Sequence, residues 1–160
     1  ETIRDIVLER PFYLSLTGVT NSQFRQFDSE HSSGTSNGMT LNNEGQPVVR
    51  ITWQQAALFC NWLSEKGGEN GSLTPFYTVV DDVVVGFDAE SHGYRLPTEA
   101  EWAWAARRDI ADPSGVRKFS WDGDLPPPDG AGNLADVSAR AFLGDILWNA
   151  NFSFAMYYWI

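Results

Sequence analysis

Apolar residues recur with a helical period in the middle of this chain. Between Trp53 and Leu63 they are spaced three, four and seven positions apart, which predicts an amphipathic helix with one buried face. Gly67 and Gly68 are predicted to end the helix, because glycine is the usual residue of a left-handed C-terminal cap. The residues predicted to face inward are Trp53, Ala56, Ala57, Phe59, Cys60 and Leu63.

An extended pattern follows this helix. The runs 76–80 and 83–87 are rich in β-branched and aromatic residues and are predicted to form a hairpin that turns at Asp81-Asp82. Two polar, glycine-containing stretches, 30–47 and 121–136, are predicted to be loops. Three consecutive prolines in the second stretch exclude a helix there.

Three segments carry a helix-start signal, a threonine followed three positions later by glutamine or glutamate. In such a capping box the threonine hydroxyl and the distant side chain each satisfy a free backbone N–H group. The third signal predicts a helix over about 99–108, with Trp102, Ala105 and Ala106 on its inner face. The three pairs are Thr20 with Gln23, Thr52 with Gln55, and Thr98 with Glu101.

Glu99 and Glu101 could be taken for paired carboxylates of an acid–base site. On a helix, however, residues two apart point to different sides, since only neighbours three or four apart share a face. Glu101 is the acid of the capping box, and Glu99 suits the positive end of the helix dipole. We therefore interpret the pair as architecture.

Composition narrows the class of protein. The 160 residues suit one α+β domain, predicted here to span 1–160. The formal net charge of −10 argues against nucleic acid and anionic membrane surfaces as partners. The apolar run 146–160 is shorter than the roughly 20 residues of a membrane span. A single cysteine, Cys60, excludes an internal disulfide and favours a cytoplasmic location.

Three motifs in order carry a family resemblance. "PFYLSLTGVTNSQFRQF" at 11–27, "QPVVRITWQQAALFCNWLS" at 46–64 and "GYRLPTEAEWAWAARR" at 93–108 resemble the formylglycine-generating enzyme, or sulfatase-modifying factor, family. The similarity extends over roughly 8–147 and is to bacterial members, some of them fused to protein kinases. It implies a C-type-lectin-like α+β fold. It also implies oxidation of a target cysteine to formylglycine with molecular oxygen and copper held by two cysteines, or, in related members, iron held by histidines.

The sequence departs from that family pattern where the chemistry should lie. The late cysteines of the family are absent, so the chain resembles an incomplete N-terminal portion, and catalysis is expected to need residues beyond Ile160. Copper(I) prefers thiolates, and the one thiol, Cys60, is predicted to be a buried apolar side chain. His31 and His92 are predicted to be solvated loop histidines rather than iron ligands. No catalytic residue is therefore assigned.

A calcium site is the metal site that the resemblance implies most directly. Asn133, Leu134 and Phe152 match three of its ligand positions. Ala150 stands where the pattern has an aspartate, and because calcium favours carboxylate oxygen, the site is expected to be weakened.

Three hypotheses follow. The chain is part of an oxidase that acts on a protein or peptide substrate, or it is a non-catalytic lectin-like binding or sensor module using the polar loop 31–46. A third, weaker hypothesis is a degenerate product that does not fold independently. The aromatic end, 148–160, is a candidate surface for association with a partner.

Overall fold

The secondary structure is mixed, which confirms the predicted α+β class. The computed structural model describes residues 6–67, 72–109, 111–112, 115–124 and 128, and contacts divide the chain into two units, 1–101 and 102–160. The elements are α1 (Asn21–Phe24), β1 (Thr35–Ser36), β2 (Met39–Thr40), α2 (Trp53–Lys66), β3 (Tyr77–Val80), β4 (Val83–Phe87) and α3 (Glu99–Arg107). The single domain over 1–160 stays a prediction.

Both early helices begin with the predicted capping box. At α1 the Gln23 N–H donates to Thr20 Oγ1 at 3.2 Å, and the Thr20 N–H donates to Gln23 Oε1 at 2.9 Å. At α2 the same two bonds join Thr52 and Gln55 at 3.1 and 2.8 Å. Each box satisfies two N–H groups that a helix start leaves free, so these starts are fixed locally.

The end of α2 lies where the glycines predict it. Gly67 adopts φ 77° and its N–H donates to Leu63 O at 3.3 Å. Its ψ of 154° differs from the predicted left-handed helical cap, and this combination is one that glycine alone adopts readily. Gly68 lies outside the described residues.

The buried face of α2 is narrower than predicted. Ala57, Phe59 and Cys60 are buried, but the expectation for Trp53 is wrong, because its side chain is 58% exposed. Trp53 stands at the first turn of the helix and packs edge-on against Tyr77, with ring centroids 5.7 Å apart. One edge of the indole is covered by this contact, and much of the rest stays in solvent.

An aromatic cluster joins α1 to α2. Phe24 packs against Phe59 at 5.2 Å, and Phe27 packs against Phe59 at 5.9 Å and Trp62 at 6.0 Å between ring centroids. Phe24 is almost completely buried. Aromatic pairs in this distance range contribute about 0.5–1.5 kcal/mol each beyond the area they bury, so this cluster is a main source of cohesion in the first unit.

The predicted hairpin is present as β3 and β4, paired antiparallel with Tyr77 opposite Phe87 and Val80 opposite Val83. Asp81 and Asp82 have φ values of 49° and 60°, as a type I′ turn requires at both central positions. A type I′ turn twists in the same sense as the flanking strands, so it favours hairpin formation. Aspartate tolerates the left-handed backbone conformation that this turn requires, so an Asp-Asp pair can form it without glycine.

The prediction of a structureless loop over 30–47 is wrong in part. β1 and β2 form a second small hairpin within it, with Thr35 opposite Thr40. Its turn is Asn37-Gly38, with φ values of 49° and 76°. The Asn-Gly pair signals such a turn, but two-residue strands with exposed side chains leave no apolar alternation to detect.

In the second unit, α3 ends at Arg107, one residue before the predicted end. The Arg117 N–H donates to Arg107 O at 2.8 Å, and Trp121 is buried, stacked on Phe119 at 4.8 Å. The expectation of an inward Trp102 is wrong, since its side chain is exposed. At the start of this helix the buried residue is Glu101. Trp102 is the next residue, and successive residues of a helix point about 100° apart.

Candidate functional site

The segment before α3 forms a polar corner built around Glu101. One carboxylate oxygen of Glu101 accepts from Arg95 Nη1 at 2.7 Å and from the Thr98 N–H at 2.8 Å. The other oxygen accepts from Arg95 Nη2, and the Glu101 N–H donates to Thr98 Oγ1 at 3.2 Å. The third predicted capping box is confirmed, with an arginine added to it.

The charge of Glu101 is fixed by this corner. Its side chain is only 10% exposed, and the hydrogen bonds from Arg95 lower its pKa to about 2, with a further contribution from Thr98. A general acid or base works best with a pKa near the operating pH, and both oxygens of Glu101 are already occupied. Glu99 is exposed at the first turn. The structure thus supports the architectural interpretation of this pair.

The corner is anchored on both α2 and β3. The Tyr94 N–H donates to Ser64 Oγ at 2.8 Å, and the Leu96 N–H donates to Tyr77 Oη at 3.1 Å. Leu96 also packs against the core of Ala57, Cys60 and Tyr77. Residues 94–96, which precede α3 in the chain, are therefore held against the core of the first unit.

Cys60 is buried on α2, as predicted. Burial raises the pKa of its thiol to about 11, because the thiolate would lose its hydration. Copper held by two thiolates needs two cysteines, and Cys60 is the single cysteine of the sequence. The residues of this chain therefore do not fit the copper site that the resemblance implies.

We expect Cys60 to be almost inert toward thiol reagents. At pH 8 its reaction with 5,5′-dithiobis(2-nitrobenzoate) should be about 100-fold slower or more than that of an ordinary thiol, because so little thiolate forms. Stopped-flow absorbance at 412 nm measures this rate, and urea should restore it. The double variant Cys60→Ala, Ser36→Cys is the matched control, since Ser36 is exposed. A native rate equal to that of the control would show that Cys60 is accessible.

The two histidines lie in different environments. His92 is exposed, as predicted, but the expectation of a solvated His31 is wrong, because it is half-buried. His31 Nε2 lies 3.1 Å from Val49 O, and its ring packs edge-on against Phe24 at 4.9 Å. A carbonyl oxygen can only accept, so Nε2 carries the proton in this bond and offers no lone pair to a metal. The described residues contain no group of three histidine, cysteine or acidic side chains placed to hold a metal ion.

A buried polar network in the first unit was not predicted from the sequence. Ser33 Oγ donates to Asn21 Oδ1 at 2.6 Å, accepts from the Val49 N–H at 3.0 Å and lies 3.4 Å from His31 Nε2. Asn21 Nδ2 in turn donates to Leu41 O at 2.9 Å. Ser33 is fully buried and its proton is already donated, so the serine and histidine have no nucleophilic role here.

The calcium ligands implied by the resemblance, Asn133, Leu134 and Phe152, lie outside the described residues, as does the aromatic end of the chain, 148–160. The calcium site therefore stays a prediction. In the part of the chain that the structure describes, no helix is long and apolar enough to cross a membrane.

Large apolar side chains are exposed along two segments of the first unit. One is the N-terminal segment 6–16, where Tyr13 and Leu16 are fully exposed and Val7 largely so. The other is the β3–β4 hairpin, where Val80, Val83, Val85 and Phe87 are exposed. Single apolar residues scattered on a surface need no explanation, but groups of exposed apolar residues mark interaction sites.

Residues 2–151 match the sulfatase-modifying factor enzyme 1-like domain, named FGE-sulfatase, so the chain belongs to that family. It is also 30% identical over 156 residues to the "Chaperone protein LppX" of Paenibacillus barcinonensis, covering 87% of this chain and 50% of that protein. The chain thus spans about half the length of this curated relative. No solved structure matches the chain significantly.

Proposed function

We propose that this chain is a polypeptide-binding part of a sulfatase-modifying-factor protein, and that it holds an extended segment of another protein. The family is named for modifying sulfatases, which are proteins, and the Paenibacillus relative is named a chaperone. Both names describe action on another polypeptide.

The exposed apolar side chains of segment 6–16 and of the β3–β4 hairpin carry this proposal. Burying a valine- or tyrosine-sized side chain against a partner stabilises a complex by about 1.5–3 kcal/mol, so a few such contacts give measurable affinity. The groups that catalysis would need are engaged elsewhere, since Glu101 is held by Arg95 and Cys60 is buried. The described surface is therefore better suited to contact than to chemistry.

Oxidation of a target cysteine to formylglycine is a second candidate function, favoured by family membership. In that case the thiolates that bind copper come from residues outside this sequence, because Cys60 does not fit the role. The C-type-lectin-like fold and a calcium ion at Asn133, Leu134 and Phe152 belong to the same proposal. This chain would then position the protein substrate for the oxidase.

Binding of an unfolded protein tests the first candidate. Fluorescein-labelled lysozyme, reduced and S-carboxamidomethylated, is titrated with the chain and followed by fluorescence anisotropy, with folded lysozyme as the control of equal composition. We expect the unfolded form to bind at least about 10-fold more tightly, in the micromolar range. Equal affinity for the two forms, or no binding, would contradict the proposal.

The same preparation separates the two candidates. A sulfatase-derived peptide containing one cysteine is incubated with the chain, copper and air, and its thiol is quantified by mass spectrometry. We expect the thiol to persist. Conversion to formylglycine by these 160 residues would replace the binding proposal with the oxidase.

A further inference from the structure

The outer face of the β3–β4 hairpin is an apolar surface of valines. Val80 and Val83 are directly opposite each other across the strands and are 54% and 53% exposed, and Val85 is 60% exposed. Val79 and Val84, also opposite each other, are half-buried on the other side, where Val84 packs against the core. A register shift between Thr78 and Val79 leaves Val85 without a partner on β3, two residues along β4 from Val83. The three exposed valines, Val80, Val83 and Val85, are named here the valine face.

The inner side of the hairpin is held rigidly. Asn61 of α2 donates to Tyr77 O at 2.7 Å and accepts from the Tyr77 N–H at 3.0 Å. Gln54 donates to Asp82 O and accepts from the Val84 N–H at 3.3 Å, so it bridges the turn. A surface fixed in this way loses little conformational entropy when a ligand binds.

Acidic residues lie at both ends of the hairpin that carries the valine face. Residues 76–90 contain Asp81, Asp82, Asp88 and Glu90 and no lysine or arginine. Glu90 is paired with Arg10 at 2.8 Å, which leaves the turn aspartates and Asp88 without an ion pair among the described residues. An apolar strip bordered by carboxylates complements a ligand that is apolar in its centre and cationic at its edges.

We propose that the valine face is a docking surface for an extended cationic segment of another polypeptide, in which a central apolar stretch is flanked by lysine or arginine. Successive side chains of an extended ligand point to opposite faces, so every second apolar side chain faces the three valines. The basic side chains at the ends of the ligand then reach the carboxylates at the ends of the hairpin, among them Asp81 and Asp82. The inference rests on the proposed polypeptide-binding function and names the chemistry of its substrate.

The charge of the chain argues against the other occupants of such a face. A second copy of the chain also carries a net charge of −10, so pairing two valine faces would bring like charges together. Anionic lipid surfaces are repelled for the same reason. A cationic polypeptide gains both the apolar contact and the charge complementarity.

A peptide titration tests the docking surface. A fluorescein-labelled nonapeptide with valines in its centre and lysines at both ends is titrated with the chain and followed by anisotropy at low and high salt, with the peptide that carries glutamate in place of lysine as the charge-reversed control. We expect the cationic peptide to bind and to weaken as salt rises, because salt screens the aspartates. The anionic peptide should not bind.

Two sets of variants separate apolar from charged contributions. Threonine has the shape of valine and suits strands, so Val80→Thr with Val83→Thr and Val85→Thr should keep the hairpin and weaken binding about 10-fold or more. Asn tolerates the positive φ of the turn, so Asp81→Asn with Asp82→Asn should weaken binding about 3- to 10-fold at low salt and reduce the salt dependence. Glu30→Gln with Glu65→Gln removes two exposed charges outside both binding segments and should change affinity less than about 2-fold. Circular dichroism checks that each variant is folded.

The outcomes distinguish this inference from the proposed function. Unchanged peptide affinity in the folded threonine variant would overturn the valine face as the site. If unfolded lysozyme binds and the lysine–valine peptide does not, the docking surface is wrong and polypeptide binding stands. If neither binds, both proposals fail. Valine-dependent dimerisation in sedimentation, or binding to phosphatidylglycerol vesicles, would overturn the cationic-peptide assignment.

Discussion

Replacing Glu101 with alanine is expected to lower the free energy of unfolding by about 3–5 kcal/mol, as breaking a buried ion pair does. The substitution leaves the Arg95 guanidinium without its carboxylate partner, and Arg95 is itself only partly exposed. It also leaves the Thr98 N–H without the acceptor that the capping box supplies. Both contacts are lost together, because one side chain makes both.

Urea denaturation followed by circular dichroism measures this effect, with Glu99→Ala as the matched control. Glu99 lies in the same first turn of α3 but is exposed, so its loss should cost less than about 1 kcal/mol. Glu101→Gln, which keeps the shape and the cap but loses the charge, should fall between the two. Similar values for Glu101→Ala and Glu99→Ala would show that the corner does not stabilise the fold.

The same residue predicts a pH dependence. The pKa of Glu101 is about 2 in the folded state against an ordinary value of 4.5, so its stabilising contribution is complete above pH 4.5. As pH falls from 4.5 toward 2, about 3 kcal/mol of stability should be lost through this group. The difference in unfolding free energy between the native chain and Glu101→Gln should shrink over this range. A constant difference would contradict the assigned pKa.

Replacing Asn61 with alanine is expected to cost about 2–4 kcal/mol, because it strands two buried backbone groups at once. The Asn61 amide pairs with both the N–H and the carbonyl of Tyr77, as a neighbouring strand would. Tyr77 is buried, so water replaces neither bond freely. The loss should loosen the hairpin from α2.

Hydrogen exchange and urea denaturation together check the role of Asn61. In Asn61→Ala the Tyr77 amide proton should exchange faster, whereas exposed Asn43→Ala should leave both stability and exchange nearly unchanged. Asn61→Asp is diagnostic, since a carboxylate still accepts from the Tyr77 N–H but repels its carbonyl. Protection of Tyr77 that survives in Asn61→Ala would show that the amide pairing is dispensable.

Local signals in the sequence predicted most of the regular structure. The three capping boxes, the span of α2 and the Asp81-Asp82 turn depend on residues at most about four positions apart, where side-chain and backbone preferences act directly. The burial of Cys60 also followed from helical periodicity. The family followed from the order of three such motifs.

The orientation of individual side chains could not be predicted in the same way. Trp53 and Trp102 are exposed although both are large and apolar, whereas Glu101, a charged residue next to Trp102, is buried. His31 is half-buried although its neighbours are polar, since Val49 and Phe24 reach it from other segments. Helical periodicity predicts which face of a helix is buried, but the residues that pack against that face come from other segments of the chain.

The sequence by itself determined where helices and turns begin, the class of the fold and the family, because each depends on short-range chemistry or on ordered motifs. Only the tertiary structure decided which polar groups hold the fold and which apolar ones stay outside. Asn61 meets Tyr77 across 16 positions and Gln54 meets Asp82 across 28. Such pairs leave no periodic trace, since chain packing selects them. The same packing leaves Val80, Val83 and Val85 exposed, and these three residues are the valine face.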